Sequence, residues 1–169
     1  MKTASSKKRS RARRSSRPKR AARVREAPPP GFYLDASALA KLYLPEAESD
    51  ELNRRLQSYR QTMISDLGIT EVASACARRR REGVLDTDAV SLVHRAILDA
   101  VDSGIFLRLT LDPAVHREAE RLLMLDAVTL RAADALHLAL TMEAGANTIV
   151  TYDQRLAGAA RRLGLQTIP

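Results

Sequence analysis

The chain has 169 residues, 45% of them hydrophobic and 28% charged, enough for one domain with a real core. No stretch approaches the apolar length of a membrane span, and Cys76, the only cysteine, excludes an internal disulfide and suits a reducing, cytoplasmic setting. The net charge of +8 is unevenly placed: residues 1–26 hold 12 Lys/Arg against one acid, Glu26, so the rest, with 16 basic and 19 acidic residues, stands at −3.

The first 26 residues lack the apolar side chains needed to offset chain entropy, which predicts a disordered basic arm. It has no apolar h-region and so is not a secretory signal; its Arg- and Ser-rich composition resembles a transit peptide, without an amphipathic face. Phosphate contacts with RNA or DNA are one use for such an arm. A solubilising tail, or a start site placed too far upstream, carries equal weight. Pro28-Pro29-Pro30-Gly31 forms a stiff linker, giving an arm and linker over 1–30 and a folded domain over 31–169.

Within the domain, Phe32–Asp35 predicts a short buried strand, followed by a helix from Ser37 to Leu44. Pro45 stops that helix and opens another, through Tyr59. Thr62–Ser65 is a second strand, and Asp66 a cap for the helix carrying Ile69, Val72, Ala73 and Cys76, which ends at Gly83. A helix over Thr87–Val101, a mixed strand over Ile105–Leu111 and a helix from Pro113 to Leu125 come next. Thr129 caps a helix running to Ala144 and closed by Gly145. Thr148–Tyr152 is a fourth strand, Gln154–Leu163 a helix and Leu165–Ile168 a final strand. Short apolar strands alternating with helices predict an α/β fold, a parallel sheet flanked by helices on both faces. Function in such sheets gathers at the carboxyl ends of strands, where Asp35 and Asp153 both fall.

Four carboxylates, Asp35, Glu71, Asp134 and Asp153, sit where the chain can least easily solvate a charge. Singly, three have simple explanations. Asp35 and Asp153 serve as helix N-caps, and Glu71, in the first turn of its helix, suits the dipole. Asp134 is harder to dismiss. In Ala132–Leu140 only Asp134 and His137 are polar, and their spacing puts them on one face of a buried helix. Arg131 is the best purely structural partner for Asp134; metal or catalytic use is the stronger reading. Clustered buried carboxylates need a proton or a cation, and hard oxygen donors favour Mg²⁺ or Mn²⁺. That donor set points to metal-dependent phosphodiester chemistry.

His137 is expected as a core or hydrogen-bonding group, and His94, His116 and His137 lack zinc-ligand spacing. Ser37 and Thr151, each two residues from a site acid, orient a water at the site or simply cap helices. Cys76, among alanines, is packing. Arg78–Arg81 complements a helix C-terminus as a solvated face, with RNA phosphate contact the lesser alternative.

Three sets of residues carry a family pattern. Leu34-Asp35-Ala36-Ser37, with Ile64-Ser65-Asp66-Leu67 leading to Thr70-Glu71-Val72, resembles the first half of a PIN domain. Arg131-Ala132-Ala133-Asp134-Ala135-Leu136-His137 resembles its third acidic motif, and Val150-Thr151-Tyr152-Asp153-Gln154-Arg155-Leu156 its fourth. The match spans Phe32–Pro169 in order and is most similar to VapC-type toxins of toxin–antitoxin pairs. The resemblance implies a PIN-like parallel sheet, an acidic quartet of Asp35, Glu71, Asp134 and Asp153 binding Mg²⁺ or Mn²⁺, and endonucleolytic cleavage of RNA. It also implies a small antitoxin partner and a homodimer of such pairs. Ala133 departs from the aromatic residue often found before the third acid, and the basic arm is outside the pattern.

Two other readings share part of the pattern. Aspartate phosphatases and receiver domains also place an Asp after the first strand, but need a later lysine, and only Lys41 follows residue 19. A non-cleaving PIN-like module that binds RNA or a protein, with the arm holding nucleic acid, is the alternative from a different class.

Overall fold

The computed structural model describes residues 31–44, 46, 48–57 and 61–168. The expected arm, most of the Pro-rich linker, the helix stop at Pro45 and the helix end at Tyr59 lie outside the described residues. The strands are β1 (Phe32–Leu34), β2 (Thr62–Ser65), β3 (Phe106–Leu109), β4 (Thr148–Val150) and β5 (Gln166–Ile168). The helices are α1 (Ala36–Tyr43), α2 (Ser49–Leu56), α3 (Asp66–Arg81), α4 (Thr87–Asp102), α5 (Pro113–Leu123), α6 (Ala132–Glu143) and α7 (Gln154–Arg162).

The five strands form one sheet in the order β3-β2-β1-β4-β5, every pair parallel. Alternation along the strands sends apolar side chains to both faces. Phe32, Leu34, Ile64 and Val150 pack on one side with Leu39, Leu52, Val72 and Ile97. Tyr33, Met63 and Ile149 pack on the other with Leu122, Leu138 and Leu156. Helices thus cover both faces, the arrangement that buries a parallel sheet. Phe32, Tyr33, Leu34, Ile64 and Ile149 are wholly buried, and each such side chain stabilises the fold by roughly 1.5–3 kcal/mol.

The chain leaves β1 toward β2 on one side, while β4 lies on the other, so the strand order reverses beside β1. Register pairs Leu34 with Val150, and the Asp35 amide donates to the Val150 carbonyl at 3.1 Å. The residues just past β1 and β4 are therefore neighbours at the carboxyl edge, where open parallel sheets place their sites.

Several boundaries differ from expectation, each for a local reason. Ser65, not Asp66, caps α3, its Oγ accepting from the Gly68 amide at 3.1 Å. Glu71 lies in the second turn of α3, not in the first as expected, and so away from the helix terminus. β4 stops at Val150, because Thr151 turns its hydroxyl into the site and Asp153 caps α7. β3 is confined to Phe106–Leu109, since Gly104 ends the preceding turn and Asp112 caps α5. α6 begins at Ala132 rather than after Thr129. It is closed by Gly145, whose φ of 70° suits glycine, with Ala146 N–H donating to Thr141 O at 3.0 Å.

Candidate active site

Asp35 leaves the end of β1 into the N-cap position of α1 and is 4% exposed. Its Oδ1 accepts from the Ala38 amide at 2.9 Å and the Ser37 hydroxyl at 2.7 Å; its Oδ2 accepts from the Thr151 hydroxyl at 2.6 Å. Burial nevertheless raises the Asp35 carboxyl above its ordinary pKa, against the lowering effect of these three donors and of nearby His137. Helix capping, the simple explanation, is real here, but it uses only part of the carboxylate.

Ser37 and Thr151 turn out to be twinned. Ser37 Oγ accepts from the Tyr152 amide at 2.8 Å while donating to Asp35; Thr151 Oγ1 accepts from the Asp153 amide at 3.0 Å while donating to Asp35. Each hydroxyl thus ties the α1 end of the site to the β4–α7 turn and fixes the Asp35 carboxylate plane. Asp153 caps α7, Oδ1 accepting from the amides of Arg155 at 2.8 Å and Leu156 at 3.1 Å.

Asp134 lies in the first turn of α6 and is 6% exposed. Its Oδ2 accepts from the Arg131 backbone amide at 2.8 Å. The guanidinium beside it belongs to Arg155, not Arg131: Arg155 Nη2 stands 3.2 Å from Asp134 Oδ2 and 3.5 Å from Asp153 Oδ2. One cation therefore bridges the third and fourth acids.

Glu71 joins through a relay. Its Oε2 is 2.7 Å from His137 Nε2; His137 Nδ1 is 2.7 Å from the Tyr33 hydroxyl, which is 2.6 Å from Ser65 Oγ. A carboxylate only accepts, so in the neutral imidazole Nε2 carries the proton and donates to Glu71. Nδ1 then accepts from the Tyr33 O–H, and the Tyr33 oxygen accepts from Ser65. Burial, first of all, pushes the Tyr33 phenol well above its ordinary pKa, so it stays a hydroxyl donor. His137 is a hydrogen-bonding group buried at 3% exposure.

All four acids are thus linked: Asp35 to Asp153 through Thr151, Asp153 to Asp134 through Arg155, and Asp134 to Glu71 through the α6 face carrying His137. They are not closed into a cage. Among the described residues no three His, Cys, Asp or Glu side chains stand together closely enough to hold a metal ion. Lys41 is turned away, paired with Glu46 and with Glu48 at 2.8 Å. Arg79, in the basic run at the end of α3, donates to Glu46 at 2.6 Å rather than standing fully solvated. Cys76 is buried packing. Arg155 and Tyr33 were not legible as site residues from sequence; the available signal for Arg155 was a cation in the first turn of a helix, where the dipole disfavours it.

Comparison with known proteins identifies the family and the fold. The PIN domain family profile matches residues 32–162. Ribonuclease VapC46 of Mycobacterium tuberculosis is 33% identical over 139 residues, covering 81% of this chain and 95% of that protein. Ribonuclease VapC47 of the same species is 31% identical over 142 residues, covering 80% and 94%. Among solved structures, M. tuberculosis VapC20 superposes with a TM-score of 0.60 at 19% identity, covering 76% of this chain and 94% of that one. FitAcB from Neisseria gonorrhoeae gives 0.58 at 16%, covering 82% and 96%. The expected PIN-like fold is the observed one, and the chain belongs to the PIN-domain family, in its VapC branch.

Proposed function

We propose that this chain is a divalent-metal-dependent endoribonuclease and the toxin of a toxin–antitoxin pair. The observation that carries the reading is the chain of contacts that joins three acids: Asp35 to Asp153 through Thr151 at the carboxyl edge of β1 and β4, and Asp153 to Asp134 through Arg155, with Asp35 and Asp134 nearly buried. The ribonuclease names of relatives that match nearly their whole length support the reaction class. VapC20, described as a sarcin–ricin loop cleaving toxin, supports the toxin assignment by fold.

The residues suit a hard divalent ion in donor chemistry, since every candidate ligand is a carboxylate oxygen. Arg155, whose guanidinium lies beside both Asp134 and Asp153, supports a cation at this position. Asp35, Asp134 and Asp153 would hold Mg²⁺ or Mn²⁺, with Glu71 binding directly or through water. Such an ion supplies Lewis-acid charge beside a scissile phosphate.

The chain's own groups do the rest. Ser37 and Thr151 hold Asp35 in one orientation, and the Ser65–Tyr33–His137 relay holds Glu71. Glu71, with 36% of its side chain exposed, is open to solvent and placed to orient an attacking water. An RNA substrate fits a ribonuclease, the FitAcB and VapBC2 neighbours support an antitoxin partner, and a homodimer of such pairs is the expected assembly. VapBC2 from Rickettsia felis, bound to a promoter DNA fragment, shares the fold at a TM-score of 0.58.

Site variants test the assignment. Asp35→Asn and Asp134→Asn should each abolish RNA cleavage while circular dichroism stays unchanged. Undiminished cleavage by the folded double variant would move the site elsewhere. Binding of RNA by the intact chain without any cleavage would favour the non-cleaving module instead.

A further inference from the structure

Arg155 is a poorly satisfied cation in a crowded acidic site. A guanidinium paired with a carboxylate usually forms a fork of two short bonds near 2.7–2.9 Å. Here Nη2 straddles the two oxygens of Asp134 at 3.2 and 3.3 Å and reaches Asp153 at 3.5 Å, all longer than that, and Nε is buried with no hydrogen-bond partner among the described residues. The residue also sits in the first turn of α7, where the helix dipole opposes positive charge. Three unfavourable features meet in one side chain, and the one favourable feature is charge balance for Asp134 and Asp153. A pocket of about 250 Å³ lined by Val128, Thr129, Gln154, Gly158 and Arg162 opens along the Arg155 side chain, so it has room to withdraw.

We infer that Arg155 is a displaceable internal counter-cation, competing with the divalent ion for Asp134 and Asp153 and so setting the metal affinity of the site. This rests on the metal-dependent reading above. Without metal, the guanidinium offsets repulsion between a nearly buried carboxylate, Asp134, and a half-exposed one, Asp153. When a divalent ion takes the same oxygens, Arg155 must leave them, and part of the ion's binding energy goes to breaking that pair. An arginine that instead helped to build the site would strengthen metal binding, the opposite sign.

Mn²⁺ titration of the metal-free full-length chain, without RNA and followed by the loss of the free-ion EPR signal, separates them. Arg155→Ala should bind Mn²⁺ tighter than wild type by about tenfold, the scale of one partly buried charge pair. Arg155→Gln, neutral and of similar length, should give the same gain if the alanine variant folds poorly, and Arg155→Lys should stay closer to wild type. Equal or weaker binding by both neutral variants, with wild type binding normally, overturns the inference and leaves the metal reading intact. Absence of Mn²⁺ binding by every protein in the set overturns both.

Discussion

At the scale of single residues, the site is governed by the cost of placing charge where water is scarce. Asp35 accepts three hydrogen bonds and still has its pKa raised by burial. A carboxyl raised in the folded state stabilises most when protonated. That contribution is complete below the unfolded pKa and is lost as pH rises through the folded value. In metal-free protein, the thermal midpoint of wild type should therefore fall relative to Asp35→Asn as pH rises from acid toward neutral, a trend differential scanning fluorimetry reads directly. A constant gap across that range would contradict it. Tyr33 offers a second test: Tyr33→Phe leaves His137 Nδ1 without its donor and Ser65 without its acceptor, and should cost about 1–3 kcal/mol in urea denaturation. Asp134 was legible in the sequence because a lone acid in a run of Ala and Leu has no cheap explanation. Tyr33 was not, because a tyrosine in an apolar strand looks like core, and its partner His137 is 104 residues away.

At the scale of elements, helix capping and site chemistry use the same carboxylates. Asp153 caps α7 with Oδ1 and faces Arg155 with Oδ2. The two roles can be parted: Asp153→Ala should lose about 1 kcal/mol of stability with the cap, whereas Asp153→Asn retains an acceptor and should lose little. If both variants were equally destabilised, the negative charge rather than the cap would be what holds α7. Element types followed from hydrophobic period and from Gly and Pro punctuation, and all five strands lie within their expected segments. The misplaced ends share a cause. Ser65 outcompetes Asp66 as cap because its Oγ is already aligned by Tyr33, and α6 starts late because Asp134 reaches back to the Arg131 amide. Such choices depend on tertiary neighbours, which periodicity does not encode. The same limit hid Arg155, an ordinary surface cation in sequence until the sheet brought α6 beside α7.

At the scale of the whole molecule, charge divides the chain into a strongly basic first segment and a body at −3 from residue 27 onward. Deleting residues 1–30 should leave the thermal midpoint and the cleavage products unchanged, because the folded body holds every proposed site residue. If the arm contacts phosphates, the deletion should also flatten the dependence of RNA affinity on salt, measured by fluorescence anisotropy across a range of KCl. An unchanged slope would assign the arm to another task. Parallel register between β1 and β4 is the feature that makes the site possible, since it sets Asp35 level with Thr151 and brings two distant sequence motifs into one hydrogen-bonded unit.

The most direct test is incubation of total cellular RNA with the purified chain in EDTA, followed by addition of Mg²⁺ or Mn²⁺ in excess, with Asp35→Asn alongside. The account predicts intact RNA in EDTA, discrete fragments once metal is restored, and none from the variant. Fragments that form equally in EDTA, or equally with Asp35→Asn, would contradict it.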